Sequence, residues 1–301
     1  MASFRQAFEV LADGWHALSA LYSAGTRPHL STKRQTTMPY AALLFDLDET
    51  LVADQRATRQ ALRTSCALAE ERRGIAAMSL AGTLWDAAER LWLASPHAAY
   101  AREVGIASWE ALWADFAGEE PTLHALAEWT PGYRRRAWRE ALETYDVADD
   151  TLADALQAAF LVERRALHIL FPDALPALER LRGRLRLALL TNGASDLQRE
   201  KVAGAALGGY FDVVVASGDL GIGKPDPRIY RHTLTLLDVA PTAAAMLGDS
   251  LRNDVWGPQQ VGMHGIWLRR DREKDRETHD VDPAIHPDAV IRTLDELDDL
   301  L

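Results

Sequence analysis

Two aspartates one residue apart, Asp46 and Asp48, close an apolar run that begins at Ala41, and Thr50 follows them in Phe45-Asp-Leu-Asp-Glu-Thr50. Residues at i and i+2 of an extended strand share a face, so both carboxylates converge on one point where the strand ends. Carboxylates that close repel unless a cation separates them. A hard divalent ion such as Mg²⁺, which prefers oxygen ligands and bridges to phosphates, resolves the conflict. The chemistry this arrangement suits is attack on phosphorus. An isolated Asp-x-Asp is more often solvated turn chemistry, because Asp favours turns, so its weight depends on its company.

Further polar groups fall at the ends of other apolar runs. Thr191 closes Arg186–Thr191 (RLALLT) and precedes Asn192-Gly-Ala-Ser195, a turn leading into a helix. The Thr191 hydroxyl, with neighbouring backbone N–H groups, suits phosphate oxygens. Lys224 lies in Gly221-Ile-Gly-Lys-Pro-Asp-Pro-Arg-Ile-Tyr230, whose prolines fix the loop and start a helix; a lysine so held neutralises a transferring phosphoryl group. Gly248-Asp-Ser-Leu-Arg-Asn-Asp254 puts Asp249 at a strand end, able to ligate a metal. Asp254, five residues on, can ligate or hold water and Lys224. Taken singly, each has a commoner reading: a structural Thr, a surface lysine, an N-capping Asp.

The elements that must position these groups are parallel strands. RLALLT, Asp212–Ser217 (DVVVAS), Ala243–Asp249 (AAAMLGD) and Gly265–Leu268 (GIWL) alternate with helical segments, the signature of βαβ units. The tail, Pro287–Leu301, adds an edge strand and a short acidic helix. The first strand, Ala41–Phe45, joins the same sheet, yet residues 54–167 carry only helical periodicity, as at Leu84, Ala88, Leu91 and Trp92. The expected fold is α/β: a Rossmann-like three-layer core with a parallel sheet (38–53 and 168–301) and an inserted all-helical block (54–167). Trp85, Trp92, Trp109, Trp113, Trp129 and Trp138 fall in that block and read as its core, with one or two left to line a pocket. Ligands of open α/β sheets bind at the carboxyl ends of the strands, so a block inserted there acts as a lid. Residues 1–37 read as a loosely attached helix, or as sequence preceding a true start at Met38.

Composition narrows the partners. The 301 residues are 48% hydrophobic and 26% charged, with a formal net charge of −11; this fits a soluble globular protein and argues against a general nucleic-acid surface. An anionic substrate must then be recruited locally. One cysteine, Cys66, excludes internal disulfides and Cys-based zinc clusters, and reads as a buried apolar residue. No apolar stretch approaches the roughly 20 residues of a membrane span. Glu9, Asp13 and His16 interrupt the N-terminal apolar run, against a secretory signal. The expectation is a cytoplasmic protein, monomer or homodimer, with no membrane partner.

FDLDET, LLTNG, GKPDPRIY and GDSLRND, in this order and spacing, resemble motifs one to four of the haloacid dehalogenase-like hydrolase superfamily, in its phosphatase branch. The resemblance runs from Met38 to the C-terminus. It implies a mobile helical cap after motif one, and Mg²⁺ bound by the Asp46 carboxylate, the Asp48 backbone carbonyl and the Asp249 carboxylate, with Asp254 supporting. Asp46 would attack phosphorus in line and form an aspartyl-phosphate. Asp48 would serve as acid and then as base. Thr191, Asn192 and Lys224 would bind the substrate phosphate, and Mg²⁺, Lys224 and Thr191 would hold the charge on its oxygens.

Several relatives are argued against by residues. Carbon–halogen hydrolases resemble this chain but lack the second aspartate, because halide needs no proton on leaving. Phosphonate hydrolysis uses a cap lysine, and residues 54–167 contain none. Sugar-phosphate mutases share both aspartates and stay open as an alternative. A non-catalytic phosphometabolite-binding relative also stays open, although every catalytic position holds a competent residue. The expected function is Mg²⁺-dependent hydrolysis of a small phosphorylated metabolite whose identity the residues leave open. Arg134, Arg135 and Arg136 read as a solvated face, one of them within possible reach of a substrate carboxylate or second phosphate. Pro258, after Gly257, departs from the family pattern and should affect helix entry, not chemistry.

Overall fold

The computed structural model describes residues 40–118, 121–270 and 284–301; the expected extension at 1–37 lies outside them. Six parallel strands, β1 (Ala42–Phe45), β2 (Arg186–Thr191), β3 (Val213–Ala216), β4 (Ala244–Gly248), β5 (His264–Leu268) and β6 (Ala289–Ile291), form one sheet in the order β3-β2-β1-β4-β5-β6. Each anticipated strand is present within a residue or two of its expected bounds. The tail helix differs: Leu294–Asp299 is a 3₁₀ helix, with Glu296 accepting from the Thr293 and Arg292 N–H groups. The strand order reverses at the β1–β4 boundary, where open α/β sheets place their ligand crevice.

Parallel strands read as continuous apolar runs because both faces are covered. Leu43, Phe45, Leu187, Leu189, Ala245 and Leu247 belong to one core; Ala42, Leu44, Ala188, Leu190, Ala244 and Met246 belong to another. Phe45 pairs with Leu189 of β2 and Leu247 of β4, so the chain leaves the sheet at Asp46 between two other strand ends.

Among the described residues, the inserted block holds six helices: α1 (Asp54–Arg73), α2 (Ala77–Leu93), α3 (Ala98–Val104), α4 (Ser108–Ala111), α5 (Pro121–Glu143) and α6 (Asp150–Arg165). Gly74, at φ 69°, ends α1 in the left-handed conformation that suits glycine, and Asp149 caps α6 by accepting from the Leu152 N–H at 2.9 Å. α1 packs on α2 and α6, and α2 on α5. Leu84, Trp113, Phe116, Trp138 and Phe160 are fully buried among them. Trp109 stacks on Trp85 with centroids 4.9 Å apart. The chain enters and leaves this block through adjacent antiparallel segments: the Ala53 N–H donates to Ile169 and the Phe171 N–H to Leu51, at 2.8 and 3.0 Å.

One expectation for the block needs correction. Arg134 is buried and donates to the carbonyls of Ala111 and Ala114, while Arg135 and Arg136 are exposed and paired with Asp154 and Glu140. Three consecutive helical residues point about 100° apart, so a run of arginines cannot all share the solvated face.

Three helices that follow the inserted block complete the layers of the core. α7 (Ala174–Leu181) buries Ala174, Ala177, Leu178 and Leu181 in the first core. α8 (Ser195–Gly204) follows β2. α9 (Pro227–Leu237) starts with Pro227 in its first turn and Asp226 as cap, accepting from Arg228 N–H at 2.8 Å. It buries Ile229, Tyr230, Leu234 and Leu237 in the second core, each worth about 1.5–3 kcal/mol relative to exposure. Among the described residues, no helix is long and apolar enough to cross a membrane.

Candidate active site

The turn after β1 aims Asp46 and Asp48 in different directions. The Asp46 N–H bonds to Leu247 of β4 at 2.9 Å, and Glu49 takes a left-handed φ of 62°, uncommon outside glycine, which reverses the chain. The buried Thr50 hydroxyl then reaches back to donate to Asp46 Oδ2 at 3.1 Å.

Lys224 Nζ sits between two carboxylates, donating to Asp46 Oδ1 at 2.8 Å and Asp254 Oδ1 at 2.7 Å. Asn192 grips the lysine's own backbone from both sides: its Nδ2 donates to the Lys224 carbonyl at 2.9 Å, and the Lys224 N–H donates to its Oδ1 at 2.7 Å. Asp254 Oδ2 accepts from the Ser250 N–H at 3.0 Å and rests on Gly248, where a Cβ would meet that oxygen at 2.2 Å; only glycine permits the approach. Ser250 caps the π-helical turn Leu251–Trp256 by accepting from the Asn253 N–H.

Carboxylate oxygens of Asp46, Asp249 and Asp254 lie within 4.8 Å of one another. Burial pushes the Asp46 and Asp254 carboxyls up against the pull of Lys224. The lysine itself is desolvated, yet Asp254 and Asp46 hold it above its ordinary value. Three close carboxylates, two of them sharing one ammonium, leave more acidic than basic groups, and an all-oxygen donor set of that kind fits a hard divalent cation such as Mg²⁺.

Asp48 faces α8. Its two oxygens each lie 3.0 Å from Lys201 Nζ, and Gln198 Nε2 donates to Oδ2 at 2.8 Å. Burial, opposed by Lys201 and reinforced by Asp54 and Glu110, pushes its carboxyl up to about 8. Lys201 also reaches Glu110 at 2.7 Å and Asp54 at 3.2 Å. Asp54 in turn pairs with Arg164 and accepts from Trp109 Nε1 at 3.1 Å. The Thr191 hydroxyl accepts from Gln198 Nε2 at 2.6 Å and donates to the Asn192 carbonyl at 3.3 Å.

Asp46, Asp48, Thr191, Asn192, Lys224, Asp249 and Asp254, the residues anticipated from sequence, all line one cavity of about 160 Å³. Asp54, Trp109 and Glu110 from the helical block line it too; Trp109 answers the expectation that one or two tryptophans of the block line a pocket, whereas Asp54 and Glu110 were not anticipated, and neither were Gln198 and Lys201 behind it. One signal was available. The chain has four lysines among 33 basic residues, and where arginine is the habitual cation, a retained lysine marks a place that needs a compact ammonium.

Residues 40–262 match the family model described as haloacid dehalogenase-like hydrolase. The chain is 38% identical over 256 residues to phosphoserine phosphatase of Thermus thermophilus, an overlap of 85% of this chain and 96% of that protein. The chain belongs to the haloacid dehalogenase-like hydrolases. Among solved structures, the magnesium-bound hydrolase YfnB of Bacillus subtilis is 22% identical with a TM-score of 0.58, covering 87% of this chain and 98% of that one. A 2-haloacid dehalogenase of Pseudomonas syringae is 27% identical with a TM-score of 0.52, covering 87% of this chain and 97% of that one.

Proposed function

We propose that the protein is a Mg²⁺-dependent phosphatase of small phosphate monoesters, working through an aspartyl-phosphate on Asp46. The coarser class, a hydrolase acting on phosphate monoesters, is that of its Thermus thermophilus relative. The observation that carries the finer reading is the convergence of Asp46, Lys224 and the carboxylates of Asp249 and Asp254 in one cavity, with a second carboxylate, Asp48, beside the nucleophile.

Asp46, Asp249 and Asp254 would hold the metal; Mg²⁺ when bound supplies charge neutralisation at the phosphate oxygens. Asp46 attacks phosphorus with a carboxylate oxygen while the bond to the leaving oxygen breaks. Asp48 gives its proton to that oxygen, and the alcohol departs. A water then attacks the aspartyl-phosphate, Asp48 takes the water's proton, and phosphate and the Asp46 carboxylate are restored. Lys224, held by the Asn192 clamp, stays at the phosphoryl oxygens throughout. Asp48 also separates this reading from dehalogenation, whose halide leaves unprotonated. Residues 54–167 are read as the cap: Trp109, Glu110 and Asp54 reach the cavity from that side, where the leaving group must lie, and a cavity of about 160 Å³ suits a small one.

The test is phosphate release from phosphoserine, sugar and polyol phosphates, nucleotides and 4-nitrophenyl phosphate, with Mg²⁺ and with EDTA. Turnover with Mg²⁺, none with EDTA and none in Asp46→Asn is expected. A Mg²⁺-dependent rise in melting temperature, lost in Asp249→Asn, gives a readout independent of turnover. Metal-independent turnover, or full activity in Asp46→Asn, would refute the mechanism.

A further inference from the structure

Lys201 is fully buried and lies behind the cavity, outside its lining. Its ammonium meets carboxylates from three elements: Asp48 after β1, Asp54 at the start of α1 and Glu110 in α4. Gln198, one turn earlier on α8 and therefore on the same face, donates to Asp48, to Thr191 Oγ1 and to the Asn192 carbonyl. A buried lysine is costly unless paired, and this one is paired on three sides. Both lysines among the described residues stand at this site: Lys224 on the nucleophile and Lys201 on its neighbour. A guanidinium is wider and planar and cannot present one point charge to three converging carboxylates.

We infer that Lys201 and Gln198 are positioning residues for Asp48, fixing its carboxyl so that the proton is delivered to the leaving oxygen. Lys201 touches both Asp48 oxygens and Gln198 only Oδ2, so together they set the plane of the carboxyl as well as its distance. Neither touches substrate. Glu110 anchors the lysine from the cap side, so the orientation of the acid depends on α4 being seated.

The inference rests on the phosphatase reading, and leaving-group chemistry tests it apart from that reading. An alkyl phosphate needs a proton as its P–O bond breaks, because the alkoxide is a poor leaving group. 4-Nitrophenolate leaves as a stable anion. The measurement is kcat/KM, which reports steps through departure of the leaving group, for wild type, Lys201→Met and Gln198→Leu on one alkyl phosphate and on 4-nitrophenyl phosphate. For Lys201→Met, about a 10²-fold fall is expected on the alkyl ester and less than about threefold on the aryl ester, in line with the usual size of general-acid effects. Gln198→Leu leaves the lysine's ion pairs in place and should show the same asymmetry, roughly tenfold on the alkyl ester; it decides the matter if Lys201→Met does not fold by circular dichroism. Equal losses on both esters, or no loss, overturn the positioning role while the phosphatase reading stands. A folded wild type inactive on the whole panel overturns both.

Discussion

Asn192, expected to bind phosphate, lines the cavity while its amide bonds the Lys224 backbone, donor to the carbonyl and acceptor from the N–H. Asn192→Asp keeps the shape but replaces the donating nitrogen with an oxygen, which cannot bond the Lys224 carbonyl. The expected cost is about 1–3 kcal/mol for the unsatisfied buried group, read as a lower urea midpoint, together with a fall in kcat from the loosened lysine. Unchanged stability and kcat would show that the clamp contributes nothing.

Among elements, the join between α1 and α6 depends on one buried arginine. Arg164 is 1% exposed, pairs with Asp54, donates to Thr58 Oγ1 and the Leu167 carbonyl at 3.0 Å each, and lies 4.1 Å from the Trp113 ring centroid. Arg164→Leu removes the charge and leaves Asp54 with Lys201 as its remaining cation partner. Breaking a buried pair in this way costs about 3–5 kcal/mol, measurable by chemical denaturation. A loss below about 1 kcal/mol, typical of an exposed pair, would mean the helices hold together without it.

Across the whole molecule, Asp173 ties distant parts of the core together. Its carboxylate takes a bidentate pair from Arg270 at 2.9 Å and the Leu294 N–H at 2.8 Å, and Arg270 also donates to the Thr50 carbonyl at 2.8 Å in the turn after β1. Burial alone would raise the Asp173 carboxyl, but Arg270 and the Leu294 N–H outweigh it and hold it below the usual range. A depressed carboxyl binds protons less readily folded than unfolded, so its stabilisation is present above the unfolded value of about 3.9 and is lost as pH falls through the folded value. Urea midpoints measured from pH 5 down to pH 2 should fall more steeply in wild type than in Asp173→Asn. Parallel curves would remove Asp173 from the acid limb.

Local pattern carried far into this protein. Alternation of apolar runs and helical periodicity gave the strands to within a residue or two, because period and turn chemistry are written in neighbouring residues. Strand ends located Asp46, Asp48, Thr191 and Asp249 for the same reason, since parallel strands bring their carboxyl ends to one edge, and the proline-fixed loop before α9 located Lys224. The burial of Arg134 was hidden by its two charged neighbours, which only helix packing tells apart. Lys201 stood out only as one of few lysines, and its place in the fold was equally hidden. Its partners Asp48 and Glu110 lie 153 and 91 residues away in the chain, and its helix gives no sign of which cavity it backs. The sequence alone therefore brought out which polar groups gather at the carboxyl edge of the sheet. The fold chose which groups face the cavity and which stand behind it to aim them, because that choice is made by packing between segments that no local pattern connects.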